Sequence, residues 1–309
     1  MNIKKFIKNV SPFNNRQEMP TALYIIKKLL VFLLIYLSFV FIGEGLIVGI
    51  TSLMGYDPLH GVMPEGNIMM LIQYYGFALF FVLTLLYCKL IEKRKISSLG
   101  INKRVYDGFA GAVIAVLLLA VIVGVCCLTG VMSFGGFTSG ADYLYLLLLF
   151  LGFMVQGSAE EFVCRGLLLP SLLKKTSLPV AVLASSTAFA LPHLPTLLEA
   201  DPQFAVIGII NIYLVSAVFS LLFVLRCNIF VACGLHSVWN FVLNGAMGLS
   251  VSGSNSNSNA LMNFSVNAEN ILSGGAYGVE ASIITTVVLG IVAIILVKLC
   301  HKRGIKNGL

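Results

Sequence analysis

Eight apolar runs, each long enough to cross a lipid bilayer, constrain this chain more than any other feature. A membrane helix needs about 20 consecutive, mostly apolar residues. Runs of that kind cover roughly residues 26–53, 68–90, 108–132, 143–170, 178–198, 203–225, 229–249 and 278–299. Of the 309 residues, 58% are hydrophobic and 11% are charged, with a mean hydropathy of +0.96. Soluble domains carry about 25% charged residues, so this composition cannot cover a water-facing surface and lipid must solvate most of the chain. The expected fold class is all-α, a polytopic membrane helix bundle of about eight transmembrane helices in the cell membrane. The run at 143–170 is long for one span, which predicts tilt or a break near Gly152 or Gly157.

The positive charges predict an orientation. Lys27 and Lys28 precede the first run. Lys89, Lys93, Arg94, Lys95, Lys103 and Arg104 lie between the second and third, Lys174 and Lys175 between the fourth and fifth, and Arg226 between the sixth and seventh. Lys298, Lys302, Arg303 and Lys306 follow the eighth, while the opposite loops contain no Lys or Arg. This alternation places both termini in the cytoplasm. It also accounts for the net charge of +7 without a basic, aromatic-lined face, so nucleic acid is not an expected partner. The first run follows a mostly polar start containing Lys4, Lys5, Lys8 and Arg16, with no small-residue cleavage site after it, and is read as a retained span. The seven cysteines form no CxxC pair and are read as small apolar residues.

These signals divide the chain into a cytoplasmic N-terminal segment (1–22), spans one to three (23–142), a core of spans four to seven (143–249), a flexible non-cytoplasmic loop (250–277), and span eight with a cytoplasmic tail (278–309). The Ser/Asn-rich stretch from Ser252 to Asn259 makes the loop look like a spacer with no chemistry.

A charge at the bilayer centre costs about 2.5–3.5 kcal/mol on insertion scales, so ionisable residues inside spans are the ones to question. They are Glu44, Glu160, Glu161, Arg165, His193 and His236. Glu161 and Arg165 are four residues apart on one helical face, acid first, and are expected to form an ion pair. Glu160 points elsewhere and is left without its own cation, which suits a general base or acid. His193 follows Phe189 by one turn in Phe189-Ala190-Leu191-Pro192-His193. His236 and Asn240 share a face in His236-Ser237-Val238-Trp239-Asn240 and can donate hydrogen bonds to one developing oxyanion. Taken singly, each element also fits a packing role: a core ion pair, a satisfied core histidine, an interhelical hydrogen bond. There is no HExxH motif and no serine in a nucleophile turn. Cys164 lies one turn from Glu160, but no histidine on its helix would activate it. Glu44, between Gly43 and Gly45, is read as a helix-contact residue.

The ordered set EExxxR, FxxxH and HxxxN on separate spans resembles the CPBP family, which contains the CAAX prenyl proteases and the bacteriocin-processing and self-immunity (Abi) proteins. The resemblance covers roughly residues 143–249. It implies hydrolysis of a peptide bond within the membrane: Glu160 and His193 would activate water, His236 and Asn240 would stabilise the oxyanion, and Glu161 and Arg165 would support the site. The same family residues have been read as zinc ligands, which here would be Glu160, His193 and His236. A metal-free mechanism is favoured, because Asn240 is a poor zinc ligand and a good oxyanion donor. The implied partners are the lipid bilayer and a peptide or lipidated protein substrate. Two other readings are a non-catalytic bacteriocin-immunity or binding protein and a transporter. The second is disfavoured by the absence of two matching halves with broken helices.

Overall fold

The computed structural model describes residues 7, 9–254 and 256–305. Lys4, Lys5, Lys8, Asn255 and Lys306 lie outside the described residues. In chain order the helices are α1 (Thr21–Leu53), α2 (Gly66–Leu86), α3 (Asp107–Leu128), α4 (Tyr143–Glu161), α5 (Leu169–Leu173), α6 (Leu178–Ala190), α7 (Leu194–Glu199), α8 (Pro202–Arg226), α9 (Phe230–Phe241) and α10 (Ile283–Lys302). The chain is a polytopic, all-helical membrane bundle apart from one short hairpin. Its strands, β1 (Met132–Phe137) and β2 (Met262–Val266), pair antiparallel with Met132 opposite Val266 and a bulge between Phe134 and Phe137.

Among the described residues, seven helical stretches are long and apolar enough to cross a membrane, against the eight expected. The difference is the run at 229–249. There, 12 residues of α9 continue into 5 residues of π-helix, Val242–Ala246. At about 1.5 Å per residue this rod is shorter than the roughly 30 Å hydrocarbon core. It is also enclosed. Helix α9 packs against α3, α4 and α8, and nine of its twelve residues are buried, the other three partly.

Small residues seat α9 at this centre, where no larger side chain would fit. A Cβ on Gly234 would lie 1.9 Å from the carbonyl oxygen of Gly108, and one on Gly111 would lie 2.1 Å from that of Val231. On the other side, a Cβ on Gly157 of α4 would lie 2.7 Å from Ser237 Oγ. Gly157 is thus a close-approach point. The break expected near Gly152 or Gly157 comes later, as a π-helix over Phe162–Leu168, directly after the two acids. Such π-bulges occur frequently at functional sites. Ser185 Oγ donates to the Cys164 carbonyl at 3.0 Å, giving the bulge a partner on α6.

The basic segments are tied together at one end of the bundle. Lys28 bonds Glu92, which also accepts from Arg94 at 3.1 Å. Arg94 reaches Ser171 Oγ at 2.9 Å, and Tyr24 donates to the Ser171 carbonyl at 3.1 Å. Arg226 bonds Asp107, and Asn228 donates to the same carboxylate at 2.7 Å, clamping the α8–α9 turn to the start of α3. Arg303 closes the set on the Leu225 carbonyl at 2.8 Å. Burial pushes the Glu92 carboxyl up, but Lys28 and Arg94 outweigh it and hold it below the usual carboxylate range.

Three local expectations change. Glu44 makes no helix contact through its glycines: a Cβ on Gly45 would meet nothing within 4 Å, and the Glu44 side chain is exposed along a groove of about 600 Å³ between α1 and α2. Cys227 is exposed, in a left-handed conformation at the end of α8, so not every cysteine is a buried apolar residue. The loop 250–277 is not a bare spacer, since it contains β2 and Tyr277 is buried.

Candidate active site

Glu160 and Glu161 end α4, just before the π-helix. The i, i+4 geometry delivers the expected ion pair: Arg165 Nη1 donates to Glu161 Oε1 at 2.9 Å, and both side chains are fully buried. Such a pair needs its remaining hydrogen-bonding capacity met, and here the arginine side is met while Glu161 Oε2 has no hydrogen-bond partner among the described residues. Arg165 Nη2 donates to the Ser216 carbonyl at 3.0 Å and to Ser216 Oγ, and Nε reaches Ser220 Oγ at 3.4 Å. The guanidinium also lies 4.5 Å from the Phe189 ring and 5.1 Å from the Phe219 ring, within cation–π range.

The same two rings hold the histidines. Phe219 stacks on His236 with centroids 5.1 Å apart, and Phe189 lies 5.1 Å from the His193 ring. Helix α6 stops at Ala190 and a single 3₁₀ turn, Leu191–His193, leads into α7. The turn preserves the one-turn relation between Phe189 and His193 despite Pro192. His193 Nδ1 lies 2.9 Å from the Phe189 carbonyl. A carbonyl only accepts, so Nδ1 carries a proton, and in the neutral ring Nε2 is then the nitrogen with the lone pair.

His236 stands between the two acids. Nδ1 donates to Glu161 Oε1 at 3.0 Å, while Nε2 lies 3.9 Å from Glu160 Oε2. Glu160 is the less enclosed of the pair. Its Oε1 accepts from Gln156 Nε2 at 2.7 Å, and its Oε2 has no hydrogen-bond partner among the described residues. Gln156 Oε1 in turn accepts from Asn240 Nδ2 at 2.9 Å. An amide nitrogen has two protons, so one N–H of Asn240 remains for another acceptor.

Glu160, Glu161, Arg165, His193, His236 and Asn240 converge, whereas Glu44 lies in the α1–α2 groove. Glu160 and His193 line a chamber of about 220 Å³ whose other walls include Tyr36, Phe39, Phe77 and Phe80 of α1 and α2. His193 also borders a second cavity of about 40 Å³, reached by His236 and Asn240. Glu160, His193 and His236, the alternative zinc set, are three of these six residues. Among the described residues, no three His, Cys, Asp or Glu side chains are grouped so as to hold a metal ion.

Several partners were not picked out from the sequence. Gln156, Ser216 and Ser220 are uncharged, so a filter on buried charge passes over them. Gln156 did carry a legible signal, its position one turn before Glu160.

Residues 142–242 match the family model described as Rce1-like, type II CAAX prenyl endopeptidase Rce1-like. The chain carries an Rce1-like domain. The match begins at the N-cap of α4 and ends just past α9. The Rce1-like domain therefore contains Glu160, Glu161, Arg165, His193, His236 and Asn240, together with Gln156. Spans α1, α2, α3 and α10, and the hairpin, lie outside it. No curated protein matches the chain.

Proposed function

We propose that the chain is an intramembrane endopeptidase that hydrolyses a peptide bond in a membrane-associated peptide or lipidated protein. One observation carries this reading. Within an Rce1-like domain, Glu160 keeps one carboxylate oxygen free of hydrogen bonds and shares a chamber with a histidine nitrogen whose lone pair is available.

In the mechanism, a water molecule in the chamber donates its protons toward Glu160 Oε2 and His193 Nε2. Loss of a proton to Glu160 makes the attacking hydroxide, and the same carboxyl returns a proton to the leaving amine. The oxyanion on the tetrahedral carbon is held by the spare Asn240 N–H and by His236 Nε2–H. Glu161 supports that role by accepting from His236 Nδ1, and Arg165 holds Glu161. With His236 protonated, Glu160, Glu161, Arg165 and His236 sum to zero charge, which lowers the cost of burying the group. Every step moves protons between these side chains, and no metal is assigned. Metal analysis of the purified protein together with activity after chelation tests that assignment.

The family description points to a prenylated CAAX-type substrate, and the apolar aromatic wall of the chamber fits a lipid-modified or apolar segment. The orientation proposed places the basic end of the bundle and both termini in the cytoplasm of a cell membrane. The deciding experiment uses an internally quenched, farnesylated CAAX peptide with full-length protein in lipid nanodiscs. Glu160→Gln is expected to insert normally and lose cleavage. Wild-type cleavage by that variant would refute the reading.

A further inference from the structure

The second cavity contains a carboxylate that the mechanism above does not use. Glu280 lies in the 3₁₀ turn Val279–Ala281, just before α10. One oxygen accepts from the indole N–H of Trp239 at 2.9 Å, and the other accepts from the backbone N–H of Ser252 at 2.5 Å. Ser252 has φ +51°, a left-handed conformation that a serine holds only when its surroundings fix it. The Glu280 backbone is fixed as well, since Asn211 Nδ2 donates to its carbonyl at 2.8 Å and to that of Ser282 at 2.9 Å. No ion pair neutralises Glu280 among the described residues. Its charge is directed at two N–H groups, one from α9 and one from the 250–277 loop.

The location gives this contact leverage. Trp239 adjoins Asn240 and follows His236 by three residues, and all three side chains border the cavity that Glu280 lines. Side-chain tips lie about 5–6 Å from a helix axis, so a rotation of roughly 10° moves them by about 1 Å. A misplacement of that size costs on the order of 100-fold in rate. The glycine contacts with α3 and α4 set how closely α9 packs, while the Trp239–Glu280 bond resists its rotation.

We propose that Glu280 is a positioning residue, which fixes the rotation of α9 through Trp239 and so aims His236 and Asn240 at the reacting carbonyl. This rests on the endopeptidase reading, but its structural half can be read separately. Trp239 is the one tryptophan in the sequence beside eleven tyrosines, so selectively excited tryptophan emission of the intact protein comes from Trp239 and reports on its environment.

The test compares wild type, Glu280→Gln, Glu280→Ala and Trp239→Phe as full-length proteins in nanodiscs, with emission spectra and the farnesylated peptide assay. Glutamine keeps an oxygen for the indole N–H. Glu280→Ala is expected to shift Trp239 emission and lower kcat at least tenfold, with KM within about twofold of wild type. Glu280→Gln is expected to keep the wild-type emission and recover kcat to within about threefold. Should the alanine variant not fold, Trp239→Phe removes the donor directly and is expected to show the same kcat loss. Unshifted emission in Glu280→Ala overturns the proposal, as does a shift without loss of kcat, or a kcat loss equal in Gln and Ala. Wild-type kcat in Trp239→Phe does the same. If wild type and Glu160→Gln alike cleave nothing, the endopeptidase reading fails, whereas the emission comparison still decides whether Glu280 holds Trp239.

Discussion

Gln156 donates its side-chain N–H to Glu160 from one helical turn away, at 2.7 Å. Because the other end of the amide accepts from Asn240 at 2.9 Å, one neutral side chain joins the proposed base to the proposed oxyanion donor. A carboxylate can only accept and the Asn240 nitrogen can only donate, so the amide has one workable orientation.

Gln156→Leu, which keeps the volume and removes both bonds, is expected to lower kcat/KM about 10- to 100-fold. A hydrogen bond to a charged group contributes about 1.5–3 kcal/mol, and each 1.4 kcal/mol is tenfold in rate. Peptide cleavage by protein of normal folded yield checks this. Activity within a factor of two would show that the bridge does not hold the two groups.

Removing the arginine is expected to act on folding rather than on rate alone. Arg165→Ala leaves the fully buried Glu161 with only His236 and strands Ser216 and Ser220. Breaking a buried pair from one side costs about 3–5 kcal/mol. Thermal melts in detergent should show a large drop for Arg165→Ala and little change for Glu160→Gln.

The glycine contacts predict a sharp contrast between two identical substitutions. Gly234→Ala puts a methyl group 1.9 Å from a carbonyl oxygen of α3, so the helices must part. Overpacking of this kind costs about 1–3 kcal/mol or more, and the shift of α9 should also abolish cleavage. Gly45→Ala meets nothing within 4 Å and should leave melting temperature and cleavage unchanged or slightly improved.

Acid should loosen the basic end of the bundle. The folded Glu92 carboxyl is held below its usual value by Lys28 and Arg94, against the opposing effect of burial. A depressed carboxyl contributes stability that is complete above the unfolded value of about 4.3 and is lost as pH falls below it through the folded value. The melting temperature should therefore drop as pH is lowered from about 4.5, and Glu92→Gln should flatten that part of the profile. A wild-type profile that stays level there would contradict the assignment.

How much of this was legible in the sequence depends on the range of the interaction. Membrane burial, the helical class and the charged members of the site follow from composition and spacing, because transfer energies act residue by residue. The Glu161–Arg165 pair follows as well, since four residues along a helix fix two side chains on one face. The fate of the run at 229–249 did not, because apolarity alone does not distinguish a helix in lipid from one enclosed by other helices. Nor did the roles of Gln156, Ser216 and Glu280. Their partners come from 41 to 84 residues away for Trp239–Glu280 and Gln156–Asn240, and 51 away for Arg165–Ser216. The Gln156–Asn240 pair lies where Gly157 lets α4 meet α9 at close contact, with Gly108 and Gly234 seating α9 against α3. The sequence by itself determined which residues are too costly to bury without a purpose, and tertiary packing alone decided which of them meet.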